Sequence, residues 1–194
     1  MSTANCSWRK DTEQMPGEKL SDKKANILAT GPPGCGKSTL LEKIARHCGK
    51  KAIGFFTREL RQGKRRTGFE IETIGGYKGV LAHRDIDGAG RVGPYGVDVW
   101  ALERIAVPAL TPPDSETIVI VDEIGKMEWM SESFQAAAWR VLEGPNPVVA
   151  SIARKGHKDF DRLKNREDVW VIEMTPDNRD RLAGEIIGWI NDDG

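Results

Sequence analysis

Residues 31–38 read Gly-Pro-Pro-Gly-Cys-Gly-Lys-Ser, which fits G-x-x-x-x-G-K-[ST] without a mismatch. An apolar run, Asn26–Thr30, precedes it, and a stretch with helical period follows, with Leu40, Leu41, Ile44 and Ala45 on one face. A strand, a glycine-rich turn and a helix in that order constrain the chain strongly. The turn must let backbone N–H groups curl around an anion, and the helix must aim its positive end at it. In such a loop Lys37 supplies a point charge to β- and γ-phosphates, and Ser38 offers a hydroxyl to Mg²⁺. The same pattern without ligand would be a plain strand-to-helix turn.

The rest of the chain alternates in the way such a unit requires. Ala52–Leu60 and Thr67–Ile74 read as strands of a hairpin, and residues 75–96, with seven of the 21 glycines, read as mostly loop. Asp98–Leu110 reads as a helix, and Thr117–Val121 as a strand buried on both faces, because its apolar run is unbroken and β-branched. Ser131–Leu142, Asp159–Arg166 and Asn178–Ile190 read as helices, and Pro147–Ile152 and Val169–Met174 as strands. The spacing predicts an α/β three-layer sandwich on a mostly parallel sheet, with an antiparallel β-hairpin insertion. It spans residues 25–194, and residues 1–24, polar and without period, read as a flexible extension.

Composition narrows the function. The 194 residues carry 29 Lys plus Arg against 29 Asp plus Glu, so no bulk positive charge is available to coat a polyanion. No apolar run approaches the roughly 18 residues of a membrane span, and the N-terminus lacks a secretory h-region. A cytoplasmic protein, with the nucleus open as a second compartment and secretion excluded, is the expectation. Three cysteines without C-x-x-C spacing and three scattered histidines make no case for disulfides or a transition metal.

Asp122 and Glu123 follow the buried run Thr117–Val121. An acid at the end of such a strand serves Mg²⁺ through water. The adjacent carboxylate can polarise a water held in line with a γ-phosphate. The alternative is two solvated acids at a strand end. This kind of pair usually goes with an extra strand between the loop strand and the acidic strand, a place Pro147–Ile152 can fill. Ser151 would then touch the γ-phosphate or water, or else simply bond to backbone.

The loop Gly31–Thr39 occurs together with Gly54-Phe-Phe-Thr-Arg-Glu, Gly63-Lys-Arg-Arg-Thr-Gly-Phe-Glu, Val121-Asp-Glu-Ile-Gly-Lys-Met-Glu128, Gly96-Val-Asp, Ala150-Ser-Ile and Asn178-Arg-Asp. In this combination the chain, from about Asn26 to Ile190, resembles the cancer-related, or thermophilic-type, nucleoside-triphosphatase family. It departs from that family at Trp129, where a smaller aliphatic residue is usual, and at Ser38, where Thr is commoner. The resemblance implies a P-loop fold of the RecA-like branch with a catalytic glutamate. It implies Mg²⁺-dependent hydrolysis of nucleoside triphosphates to diphosphate and phosphate, tolerant of the base. The absence of an Asn-Lys-x-Asp signature agrees with low base selectivity.

These readings nominate Glu123, Lys37, Arg58 and Lys126 as catalytic, and Ser38 and Asp122 for Mg²⁺. The nucleotide-binding set is Gly31, Pro32, Pro33, Gly34, Cys35, Gly36, Lys37, Ser38, Thr39, Asp122, Glu123, Ile124, Gly125 and Asn178. Arg58 belongs to a cluster with Arg61, Lys64, Arg65 and Arg66, which reads as a phosphate clamp, a nucleic-acid contact or a solvated turn protecting an edge strand. Lys126, after Gly125, reads as a phosphate contact or a surface lysine, and Glu128 as an acid favouring a helix start. Asn178 reads as a base contact or a helix cap. Cys35, at a helix N-terminus beside Lys37, is a reactive thiol if exposed and a tolerated small residue if not. The tryptophans read mostly as core. A monomer is expected, with nucleoside triphosphates as partners. The rival functions are a small nucleoside or nucleotide kinase, and a nucleotide-switched RNA- or protein-binding regulator.

Overall fold

The computed structural model describes residues 26–87 and 90–192. The expected N-terminal extension lies outside the described residues. The first strand, β1 (Asn26–Thr30), runs into the glycine-rich loop and then α1 (Lys37–His47). Next come β2 (Ala52–Gln62) and β3 (Arg65–Thr73), the expected hairpin. They are followed by β4 (Lys78–His83), β5 (Arg91–Val92), β6 (Tyr95–Val97) and α2 (Val99–Ala109). The second half holds β7 (Ile118–Ile124), α3 (Glu132–Glu143), β8 (Val148–Ile152), α4 (Lys158–Lys164), β9 (Val169–Glu173) and α5 (Arg179–Asp192).

The strands form one sheet in the order β5-β6-β4-β3-β2-β7-β8-β1-β9. From β2 to β9 every neighbouring pair is parallel. The hairpin adds an antiparallel arm, β3, β4, β6 and β5. As expected of a chain with adjacent acids, β8 lies between the loop strand β1 and the acidic strand β7.

Alternation along the strands creates two cores. Ile27, Ala29, Ile118, Ile120 and Val149 face Leu40, Leu41 and Ile44 of α1 and Leu182 and Ile186 of α5. Leu28, Val119, Val121, Val148 and Ala150 face Leu102 of α2, Phe134 and Ala138 of α3 and Phe160 of α4. A parallel strand covered on both faces must be apolar throughout, and β7 is fully buried from Ile118 to Asp122. Helices α2 and α3 start at side-chain caps, Asp98 accepting from the Ala101 N–H and Ser131 from the Phe134 N–H.

One stretch differs from the sequence reading. Residues 75–96, expected to be mostly loop, contain β4, β5 and β6. All three lie towards the sheet's edge, β5 and β6 are short, and one glycine of β4 is a packing device. A Cβ on Gly79 would come within 2.3 Å of Ile105 Cδ1, so the missing side chain lets α2 lie on the arm. Among the tryptophans, Trp129 is buried against Phe134 and Phe160, whereas Trp100 is exposed beneath the Arg104 guanidinium.

Candidate functional site

All the parallel strands end on one edge of the sheet, and the nominated residues meet there because their strands do. The loop Gly31–Ser38 leaves β1 against the end of β9. A Cβ at Gly31 would lie 2.6 Å from the Met174 carbonyl oxygen, so this approach tolerates only glycine. Pro32, Pro33 and Gly34 form an exposed tip, and Thr39 is exposed one turn into α1. Unlike α2 and α3, α1 has no side-chain cap and no acid in its first turn. Its first N–H groups and positive dipole end are therefore left for an anion. Lys37 Nζ donates to the carbonyls of Gly31 at 3.2 Å and Pro32 at 3.4 Å, folding over the loop. The Cys35 thiol is buried in the α1–α5 core, so this cysteine is a packing residue, and only its backbone faces the loop.

Across from Lys37, β7 presents its acids where its register with β8 shifts, between Val121 and Ile124. Asp122 is buried, its Oδ1 accepting from Ser151 Oγ at 2.9 Å. Its backbone carbonyl accepts from Thr57 Oγ1 at 2.5 Å, which ties β2 to the acid pair. Its Oδ2 is buried, with no hydrogen-bond partner among the described residues. Burial pushes the Asp122 carboxyl up, opposed by the Ser38 and Ser151 hydroxyls and the Lys37 charge. Glu123 is half-buried and pushed up by burial, with Lys37 pulling it down and Asp122 raising it.

Glu128, read from sequence only as a helix-start acid, is the third member of this group. It sits 4% exposed in a 3-10 turn, Glu128–Met130, that folds back on β7. Its Oε2 lies 2.8 Å from where a Gly125 side chain would begin. Burial, and after it the nearby Glu123, push its carboxyl up to about 8, so it is neutral at pH 7. The only sequence signal was an acid between Met127 and Trp129, two residues that pack.

The remaining nominees are not all brought into this cluster. Ser151 bonds the Asp122 carboxylate, neither backbone nor open space. Arg58 stands one residue past Thr57 and is gripped by Glu42 of α1, and by Glu72 of β3 at 3.0 Å. Lys126 is exposed, its stem lying across Gly156 of the β8–α4 connection. Ile124 is a core residue whose carbonyl accepts from the Ala153 N–H, and the Gly125 carbonyl accepts from the Trp129 N–H. Asn178 spends its amide on the β9–α5 turn, Oδ1 accepting from the Thr175 N–H and Nδ2 donating to the Glu173 carbonyl. In the basic hairpin, Arg61 and Arg66 share Glu59, and Arg66 also reaches Tyr95. No helix among the described residues is long and apolar enough to cross a membrane.

Comparison with known proteins identifies the family. The profile of the family described as NTPase matches residues 26–187. The chain is 40% identical over 162 residues to nucleoside-triphosphatase THEP1 of Thermotoga maritima, covering 83% of this chain and 92% of that one. It is 34% identical to the human cancer-related nucleoside-triphosphatase, covering 84% and 94%. The crystal structure of THEP1 from the hyperthermophile Aquifex aeolicus superposes with a TM-score of 0.78 at 36% identity, over 85% of this chain and 98% of that one.

Proposed function

The chain belongs to the NTPase family, and from that premise we propose that it hydrolyses nucleoside 5'-triphosphates to diphosphate and phosphate, with Mg²⁺ and with little regard for the base. The observation that carries the reading is the meeting, across Lys37, of an uncapped helix N-terminus with two adjacent acids, one buried and one half-buried. The first binds a polyanion and the second can serve a cation and a water.

The donor set suits magnesium. Mg²⁺ is usually held by one or two carboxylates, substrate phosphates and waters. The partnerless buried Oδ2 of Asp122, beside the Ser38 hydroxyl, is the kind of acceptor such an ion would satisfy. Ser38 and, through water, Asp122 would hold it. When bound, Mg²⁺ draws charge from the β- and γ-phosphate oxygens.

The chain's own residues supply the rest. Backbone N–H groups of the loop and the head of α1 grip the phosphates. Lys37 neutralises charge growing on the β–γ bridge. Glu123, its carboxyl raised by burial and by Asp122 and pulled down by Lys37, orients and deprotonates the attacking water. Arg58 and Lys126 are the further cations proposed to act on the phosphates.

Phosphate release from ATP, GTP, CTP and UTP, with Mg²⁺ and with a chelator, tests this reading. Turnover of all four with water alone, lost with the chelator, is expected. Turnover of a single nucleotide, or only after a nucleoside acceptor is added, would overturn it.

A further inference from the structure

Arg179 follows Asn178 and is the first residue of α5. Its side chain lies on the phosphate loop. A Cβ on Gly36, where φ is +101°, would sit 2.5 Å from Arg179 Cδ and 3.0 Å from Nη1. The guanidinium is held against the loop glycine next to Lys37. Its Nε is buried, with no hydrogen-bond partner among the described residues. Its ion-pair partner among the described residues, Asp180, is 3.8 Å away, 80% exposed, and also 3.9 Å from Lys43. The turn that sets Arg179 in place is built by the Asn178 amide, and the Asn178 carbonyl accepts from the Leu182 N–H as α5 begins.

The sheet order says which end of a nucleotide this cation meets. In the order β7-β8-β1-β9, the acid pair lies on one side of the loop strand β1, and the β9–α5 turn lies on the other. A triphosphate with its γ-phosphate towards Glu123 carries its nucleoside towards Arg179. We infer that Arg179 is the nucleoside platform of the site, its guanidinium plane stacking on the face of the nucleobase. This rests on the nucleoside-triphosphatase reading and deepens it. A planar cation uses the π face that every base has and none of the hydrogen-bonding edges that differ among them. Indifference to the base follows from that choice of residue. Asn178 is then a positioning residue for Arg179.

The test separates nucleoside from phosphate. Dissociation constants for ADP, GDP, CDP and UDP, and for inorganic pyrophosphate, are measured calorimetrically with Mg²⁺ on the full chain and on Arg179→Ala and Arg179→Lys. Arg179→Ala is expected to weaken all four nucleotides by about tenfold. Pyrophosphate, which carries the same two phosphates without a nucleoside, should bind unchanged, which also shows that the loop is intact. Arg179→Lys keeps the charge without the plane and should resemble the alanine variant. Equal loss for pyrophosphate, full rescue by lysine, or unaltered nucleotide binding would each overturn the inference. A wild-type chain that binds no nucleotide would overturn the nucleotide reading as well.

Discussion

Replacing Glu128 by glutamine removes a titrating group from the interior and keeps its shape. In the folded chain the carboxyl is 4% exposed and pushed up to about 8 by burial and then by Glu123. In the unfolded chain it titrates near its ordinary value of 4.5. Between those values the folded state holds a proton that the unfolded state has released. Stability therefore falls as pH rises through this window, by about 1.4 kcal/mol per pH unit. The contribution is fully present below pH ~4.5 and lost by pH ~8, and over the window it amounts to at most ~5 kcal/mol. Glutamine cannot titrate, so Glu128→Gln should gain on wild type with pH. The gap between the two should widen by up to ~4 kcal/mol from pH 5 to pH 8. Urea unfolding of both proteins at the two pH values measures it. The comparison cancels carboxyls held low by their partners, such as Glu72 beside Lys78 and Arg58, whose contribution has the opposite sign. Parallel pH profiles for the two proteins would refute the assignment of Glu128 as a neutral buried acid.

Two further substitutions probe the site. Ser151→Ala removes the hydrogen bond that Oδ1 of the buried Asp122 carboxylate accepts and should cost about 1–3 kcal/mol in urea unfolding. It should also change the Mg²⁺ concentration for half-maximal phosphate release, and wild-type stability would remove Ser151 from the account. Arg58→Ala should lower kcat far more than it raises KM, whereas unchanged turnover in steady-state assays would leave Arg58 as a tie between Glu42 and Glu72.

What the sequence disclosed depended on how local its causes were. The loop and α1 follow from contiguous residues, and β7 from an unbroken apolar run that a strand covered on both faces requires. The acid pair was legible because it ends that run. Residues 75–96 were misread because β5 and β6 are short and Gly79 of β4 admits a helix side chain, a contact made by distant sequence. The burial of Glu128 and the partner of Ser151 were unreadable for the same reason. One takes its character from a turn folded back onto β7, and the other from lying beside Asp122 across a strand pair. From sequence Asn178 reads as a base contact or a helix cap, and only the folded turn shows that it holds the turn while Arg179 faces the loop.

The central claim is that Glu123 activates water at a nucleoside triphosphate held by the loop. Phosphate release by Glu123→Gln, beside its affinity for nucleotide, tests it most directly. Turnover should fall by roughly 10²–10⁴-fold while nucleotide still binds. A Glu123→Gln protein that hydrolyses at the wild-type rate would contradict the account.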